Sequence, residues 1–478
     1  MLRDIIKKEI LDHLLSPKFV FMFISCSALI LLSVYMGISN YLLDKKEYEA
    51  SVASVRENLQ SQKNGGFAFD LIKVYRPPQV LEAIVSGISG ATGRMSNPNN
   101  SQESHLAESK YGSNPARTVF GTLDLEFIVR VVLSLFVLLF IYDAISGERE
   151  HGTLKLALAN NVPRARLLLG KVIGGYVSLI LPLLVPLSLG FVMLSLYPGI
   201  ALTGDDWRRL GCIFLLFLFY LSTFFTLGLF VSSLTARSST SFFAVLAMWV
   251  TLVMVIPDLS ALTAGRIRPV PAASEISVQK GLATYQLQQE SSRIQSEQQS
   301  WRVFTAEAIR KGVADAMQTS REFNLRINEI NAHIDRDYQM HKEAQYDLAK
   351  NLSRVSPATG LTFGAAVLAR TGVDEYGRFM ESTRIYRSVI RDWGGKADEQ
   401  GLQVSQTTDS SGNVTGINMS TNTMGMFEVL ASMPQHEFEP ENLGQSIQRA
   451  LPDFVLMAVM SMIFFVGAYI AFLRYDVR

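Results

Sequence analysis

Charge is scarce in this chain: Lys, Arg, Asp and Glu make up 18% of its 478 residues, against about a quarter in an average globular domain. Hydropathy is positive overall, so the missing charge reflects long apolar runs, and a membrane protein is the first expectation. The formal net charge is only +1, which gives no reason to expect nucleic acid or another polyanion as a partner. Cysteine is almost absent. Cys26 and Cys212 both lie inside apolar runs, where a structural disulfide or a thiolate metal site would be out of place. The six histidines are scattered, and no Ser-His-Asp, Cys-His or paired-carboxylate arrangement stands at a recognisable spacing. A phosphate-binding loop is missing too. The only Gly-rich candidate, GISGATGR at 87–94, lacks the Gly-Lys-Ser/Thr ending, and Gly170-Lys171 is followed by Val172, so no backbone cradle for nucleotide phosphates is present.

What the chain has in abundance is hydrophobic length. A crossing needs roughly 20 mostly apolar residues, and six runs qualify: 19–43, 123–143, 167–197, 210–234, 241–256 and 454–473, the fifth short and open to bending at Pro257. Residues 1–18 carry no small-residue cleavage site of the secretory kind. Their Leu2, Ile5, Ile6, Ile10 and Leu14 recur at helical spacing, with Arg3, Lys7, Lys8 and Asp12 off that stripe. That pattern predicts an amphipathic helix on the membrane surface, with Pro17 turning the chain into the bilayer. Lys and Arg beside the spans set the orientation: residues 1–18, 144–166, the turn with Arg237 and the tail 474–478 fall on the cytosolic side. The expected fold class is an all-α polytopic membrane protein with six transmembrane helices, an N-terminal surface helix and a large external, mainly helical domain.

Two large segments are then external, 44–122 and 257–452. Between Ala272 and Leu352 there is no proline, and Gly281 and Gly312 are the only glycines at which a helix could break. Sparse apolar positions, among them Leu287, Ile294, Trp301, Phe304, Ile309, Val313 and Met317, predict a helical hairpin with a narrow packing seam. The more apolar TGLTFGAAVLARTGVDEYGRFM that follows Pro357 is too short and broken to cross. It is a helix packed beneath the projecting domain, one lying along the membrane surface, or a buried soluble helix. Residues 96–116 and 407–426 are rich in Ser, Thr, Asn and Gly and are expected to be loops.

Within the spans, Glu126 and Arg130 stand four apart, acid first, the favourable order for an ion pair. They are candidates for an exit path or for an interfacial pair. The spans are otherwise nearly free of charge, which weighs against a proton- or sodium-coupled carrier. Pro182, Pro186 and Gly174-Gly175 interrupt the third span, as sites of bending or of close helix packing. Met419, Met424, Met426, Met433 and His436 offer soft donors without a ligand motif, so no metal site is assigned.

One cytosolic segment stands out, DAISGEREHGTLKLALANNVPRARLLLGK at 143–171. Its mixed charges cannot face lipid, and a short helix ending near Asn160, Asn161 and Pro163 is the economical expectation. It resembles the coupling segment of membrane subunits in ABC exporters of the type-2, or type V, permease class. In that family Gly-Glu-Arg-Glu-x-Gly-Thr-Leu is followed by Pro-x-x-x-x-Leu-x-Gly-Lys. Here the matches are Gly147, Glu148, Arg149, Glu150, Gly152, Thr153 and Leu154, then Pro163, Leu168, Gly170 and Lys171. The surface helix, the six spans and the closing FLRYDVR extend the resemblance over the membrane portion. The insert before the last span and VYRPPQVLEAIVSG at 74–87 look like the subgroup associated with gliding motility and multicopper-enzyme maturation.

The resemblance implies a non-catalytic permease subunit of the bacterial inner membrane, paired with a second permease, identical or related, and driven by a separate ATP-binding subunit. ATP and Mg would sit on that subunit, and this chain would bind no cofactor. Glu148, Arg149, Glu150, His151, Gly152 and Thr153 would enter a cleft of the ATPase, the carboxylates meeting its basic groups and Arg149 its acidic ones, with Gly152 permitting close backbone approach. The alternative is a transducer or scaffold that moves its external domain against a periplasmic or envelope protein with nothing crossing the bilayer.

Overall fold

The computed structural model describes residues 2–61, 73–97, 123–159, 163–298, 306–408, 414–421 and 434–474. The chain starts with α1, Leu2–Leu14, and α2, Pro17–Ser61. A two-residue ribbon follows, β1 Val74–Tyr75 paired antiparallel with β2 Met95–Ser96 around a 3₁₀ turn at Val80–Ala83. Next comes α3, made of Leu125–Phe127, a π-turn at Ile128–Leu133 and Ser134–Ile141. Two short helices, α4 Ser146–Glu150 and α5 Thr153–Ala159, lead to α6, Arg164–Leu196, and α7, Gly204–Leu234. Then α8 joins Ser238–Val250, a π-turn at Thr251–Val255 and Ile256–Ile267. The long insert holds α9 Ala273–Gln298, α10 Ala306–Ser353, α11 Pro357–Leu368 and α12 Val373–Gly401. It continues with the antiparallel β3 Leu402–Thr408 and β4 Val414–Thr421, and α13 Leu443–Leu473 closes the chain.

Six of these helices are long and apolar enough to cross a membrane, as the sequence indicated. Their apolar residues meet in one continuous core, with α7 innermost; its Phe217, Tyr220, Phe224 and Phe225 are fully buried. Local chemistry fixes the helix starts. Asp124 accepts from the Phe127 amide at 2.9 Å, Thr203 and Asp206 form a reciprocal capping box, and Asn442 accepts from the Gln445 amide at 2.9 Å. Each satisfies backbone donors that the first helical turn leaves unbonded.

Several boundaries differ from the expectation. The helix that carries the first span outlasts the apolar run 19–43, as α2 continues unbroken to Ser61. Pro257 does not end the fifth span. It follows the widened turn at Thr251–Val255 and the helix runs on to Ile267, the π-turn accommodating both the proline ring and its missing amide. The third span is likewise continuous through Pro182 and Pro186. Its glycines serve packing: Gly170 lies against Ile5, Gly174 against the Glu9 stem and Gly175 against Phe225. A groove of missing side chains thus seats α1 on α6.

Contacts sort the chain into two ends. At one end Lys18 pairs with Asp143 at 3.0 Å, Lys171 with Glu9 at 2.7 Å, and Arg164 donates to the Leu473 carbonyl at 2.6 Å. Both ends of the described chain and the 146–159 segment therefore lie together. At the opposite end Lys45 donates to the Gly199 carbonyl at 2.9 Å, and Gly37 admits the Ala83 carbonyl so closely that any side chain there would collide with it. The long insert is fastened at this end through Arg209, which is fully buried. Its Nε donates to Asp205 at 2.8 Å, its Nη1 to Leu368 O and Ser446 Oγ at 3.0 Å each, and its Nη2 to Glu441 O at 2.7 Å.

The insert contains the expected hairpin, α9 against α10, but neither Gly281 nor Gly312 breaks a helix. With 48 residues α10 is about 72 Å long at 1.5 Å per residue. The described seam is partly polar, built from Ile276, Ile327, Asn331 and a buried Lys280–Asp335 pair at 2.6 Å. Of the apolar positions expected there, only Leu287 has a described side chain, and it is half-buried. The apolar α11 is not a surface helix. Ten of its 12 residues are buried, with Gly364 against Leu216 of α7 and Gly360 against Met457 of α13, while Ser356 Oγ donates to the Leu252 carbonyl freed by the π-turn of α8. Part of the expected 407–426 loop is strand, since Val414, Ile417 and Met419 take fixed places in a β ladder; its remainder, and most of 96–116, lie outside the described residues.

Candidate functional site

The 143–171 segment forms two helices rather than one. Gly152 separates them with φ +74°, a left-handed conformation that costs a residue with a side chain about 1–2 kcal/mol. Among the described residues, its two chain neighbours apart, nothing lies within 4 Å of where its side chain would begin. Its role within the chain is therefore the reversal itself. The end of α4 is closed locally: His151 Nδ1 lies 2.7 Å from the Gly147 carbonyl and Thr153 Oγ1 donates to Glu148 O at 3.3 Å.

The charged residues of α4 each bond to another part of the chain, Glu148 and Arg149 half-buried and Glu150 while still exposed. Lys171, 5% exposed, bridges Glu148 at 2.8 Å and Glu9 at 2.7 Å. Arg149 Nη1 donates to the Thr235 carbonyl at the end of α7 at 3.1 Å. Glu150 accepts from the Ser238 amide at 2.9 Å, placing a carboxylate at the N-terminus of α8, where the helix dipole favours it. Ser232 Oγ accepts from the Ile145 and Ser146 amides at 3.0 and 3.1 Å, and Ser241 Oγ donates to Tyr142 O at 2.6 Å. Four elements, α1, α6, α7 and α8, thus hold α4 from behind. Within the chain Glu148, Arg149 and Glu150 each have a partner, because a carboxylate or guanidinium at the foot of an apolar bundle gains most from the nearest counter-charge or open helix end.

What the clamp leaves open is the turn and α5. His151, Thr153, Lys155 and Leu156 are exposed, Leu156 at 68%, while Leu154 is fully buried as the anchor. The sequence singled out the motif but missed Glu9, Ser232, Thr235 and Ser238, which no local pattern connects to it. Lys171 carried a signal, a lysine just inside an apolar helix, which the count of positive charges near the span absorbed.

Glu126 and Arg130 do form the expected pair, at 3.0 Å, but at the opposite end and not at an open interface. Glu126 is buried and accepts from Thr362 Oγ1 of α11 at 2.7 Å, and Arg130 lies in the π-turn of α3. The carbonyl released there accepts from Tyr220 at 2.6 Å and from Ser134 at 2.5 Å. The soft-donor group is not assembled among the described residues. His436 packs against Phe379 and Tyr386 with Ser382 Oγ at 3.1 Å, whereas the side chains of Met419, Met424, Met426 and Met433 lie outside them. Among the described residues no group of three or more His, Cys, Asp and Glu is placed to hold a metal ion.

Comparison with known proteins adds a family. No curated protein matches the chain. The family model described as ABC-2 family transporter protein matches residues 3–267, from α1 through the clamped segment to the end of α8. With more than half its length matched, the chain belongs to the ABC-2 transporter family and is a multi-pass membrane transport component of a family that works with an ATP-binding partner.

Proposed function

We propose that this chain is the permease subunit of an ATP-driven exporter and that the turn at Gly152 with α5 is its contact with a separate ATPase. The observation that carries this is the clamp: α4 is tied to α1, α6, α7 and α8 by charge and helix-end bonds, while His151, Thr153, Lys155 and Leu156 stand clear. A force applied to that exposed ridge is passed to four elements at once instead of being lost in a loop. The end bearing α1, α4, α5 and the tail is cytosolic on this proposal, in a bacterial inner membrane, with the insert outside and ATP and Mg held by the partner. A second permease, identical or related, completes the path.

The roles within the segment divide accordingly. Glu148, Arg149 and Glu150 position the ridge, and His151, Thr153, Lys155 and Leu156 touch the ATPase. Leu156→Asp with Lys155→Glu, purified from the native host in nanodiscs, is expected to keep its helicity but lose the co-purifying ATP-binding chain and the stimulation of its hydrolysis. Full retention of both would refute the assignment. A second reading, a transducer acting through the insert on an envelope partner, draws on α10 and the buried Arg209 anchor, which tie a long lever to the bundle. Removing the distal part of the hairpin separates the two, because a transporter keeps flux and a transducer loses its output.

A further inference from the structure

Where residues 85–88, the start of α3, α10, α11 and α12 converge, the fold leaves a cavity of about 220 Å³, room for roughly seven waters. Phe127, Tyr346, Phe363, Ala366 and Val367 give it an apolar and largely aromatic wall. Its lining charged groups are Asp124, Glu126, Asp374 and Arg130, with Arg449 beside Asp374 and Lys350 over the rings. Asp124 is fully used, accepting from the Phe127 amide at 2.9 Å and from the Ser86 amide and hydroxyl at 2.8 and 2.7 Å. Glu126 is not. Its Oε1 takes both Thr362 and Arg130, which leaves Oε2 without a hydrogen bond among the described residues on a side chain that is more than nine-tenths buried. Asp374 has only a longer ion pair, to Arg449 at 3.3 Å. The aromatic wall already attracts a cation, since Lys350 Nζ lies 5.4 Å from the Phe363 ring and 5.7 Å from that of Tyr346.

We propose that this cavity is a binding site for a small organic cation, an aryl- or alkylammonium, with its nitrogen beside Glu126 Oε2 and Asp374 and its apolar body against Phe127, Phe363 and Val367. The unspent carboxylate oxygen supplies the counter-charge, the ring faces supply cation–π attraction, and burial strengthens both. An anion would meet three carboxylates. Water alone would leave the aromatic wall hydrated, which apolar surface disfavours. Because the wall joins the π-turn of α3 to α11 and α12, an occupant fastens the insert to the membrane helices. The site lies within one chain at the end opposite the Gly152 turn, so it stands or falls independently of the contact with the ATPase.

The test uses the full chain in nanodiscs with Cys26→Ser, Cys212→Ser and Ala366→Cys, the last placing a thiol on the cavity wall. Its modification by trimethylammonioethyl methanethiosulfonate is compared with that by the sulfonatoethyl reagent. Relative to their rates with a free small thiol, the cationic reagent is expected to be favoured by a further factor of about ten or more, as a negative potential at the wall dictates. Benzyltrimethylammonium, but not uncharged neopentylbenzene, is expected to slow it severalfold and saturably. Adding Glu126→Gln and Asp374→Asn should abolish the preference. Should that variant fail to fold, the charge preference and the saturable protection in the parent decide alone. Equal or faster reaction with the anionic reagent on that relative scale, absence of protection by benzyltrimethylammonium, or no reaction with either reagent would each overturn the proposal.

Discussion

Replacing Lys171 by methionine keeps the side chain's length and removes only the ammonium that lies 2.7 Å from Glu9 and 2.8 Å from Glu148. Hydrogen bonds to charged groups contribute about 1.5–3 kcal/mol each. Lys171 is 5% exposed, but Glu9 and Glu148 retain 15% and 29% exposure, so the lower figure applies to each arm: about 1.5 kcal/mol holding α1 to α6 and a similar amount holding α4 to α6. The first arm corresponds to about a tenfold change in the opening equilibrium of α1. Hydrogen–deuterium exchange of the Leu2–Leu14 amides in nanodiscs reads that equilibrium directly. Lys171→Met and Glu9→Gln should each speed exchange about tenfold, and the double variant should be no faster than Lys171→Met, because one interaction cannot be lost twice. Glu148→Gln should loosen α4 and leave α1 protected. Unchanged exchange of α1 in Lys171→Met, or additive effects in the double variant, would refute the bridge as the tie between these elements.

Three further outcomes follow from the geometry. Gly152→Ala should cost about 1–2 kcal/mol through its left-handed backbone alone, lowering the stimulated ATPase rate, with Gly152→Asn recovering most of it, since no neighbouring atom obstructs a side chain there. Arg209→Leu should release the insert at a cost of about 3–5 kcal/mol, seen as new proteolytic cleavage within 434–442, and Arg209→Lys should rescue little because a lysine lacks the planar fork that reaches Leu368, Glu441 and Ser446. Burial between Phe379 and Tyr386 holds the His436 imidazole below its ordinary value of 6.5. As pH falls below that value the unfolded segment takes up a proton before the folded one, so this cluster is stable above it and loses stability in acid. Protection factors of the 379–386 amides, exchange rates taken relative to the intrinsic rate at each pH, should fall between neutral pH and pH 5, with His436→Gln abolishing that fall.

The contrast between α11 and α1 shows how far the sequence alone reaches. Both are short and were expected as helices, α1 from the spacing of its apolar residues. For α1 the stripe of Leu2, Ile5 and Ile6 also indicated one buried face. For α11, apolar on most sides, packing beneath the external domain, lying along the membrane and burial all stayed open, because the choice depends on the gap left by Leu216, Leu252 and Met457 from three distant helices. The 407–426 stretch failed for a related reason: its Ser, Thr and Asn content suggested a loop, while the pairing of Leu402–Thr408 with Val414–Thr421 depends on a partner strand.

By itself the sequence determined the six spans, because crossing a bilayer needs only length and hydropathy in one continuous segment. It also indicated the hairpin, the pair of Glu126 with Arg130, and the charged GEREHGT segment between two spans, all of which depend on neighbours a few residues apart. Only the tertiary structure decided which partners within the chain the charged residues of that motif take. Glu148, Arg149 and Glu150 are drawn to Lys171, to the end of α7 and to the start of α8, groups that are remote in the chain and adjacent only after the helices pack. A charged side chain at the edge of an apolar bundle takes whichever counter-charge or open helix end folding brings nearest, and that proximity is a property of the assembled fold.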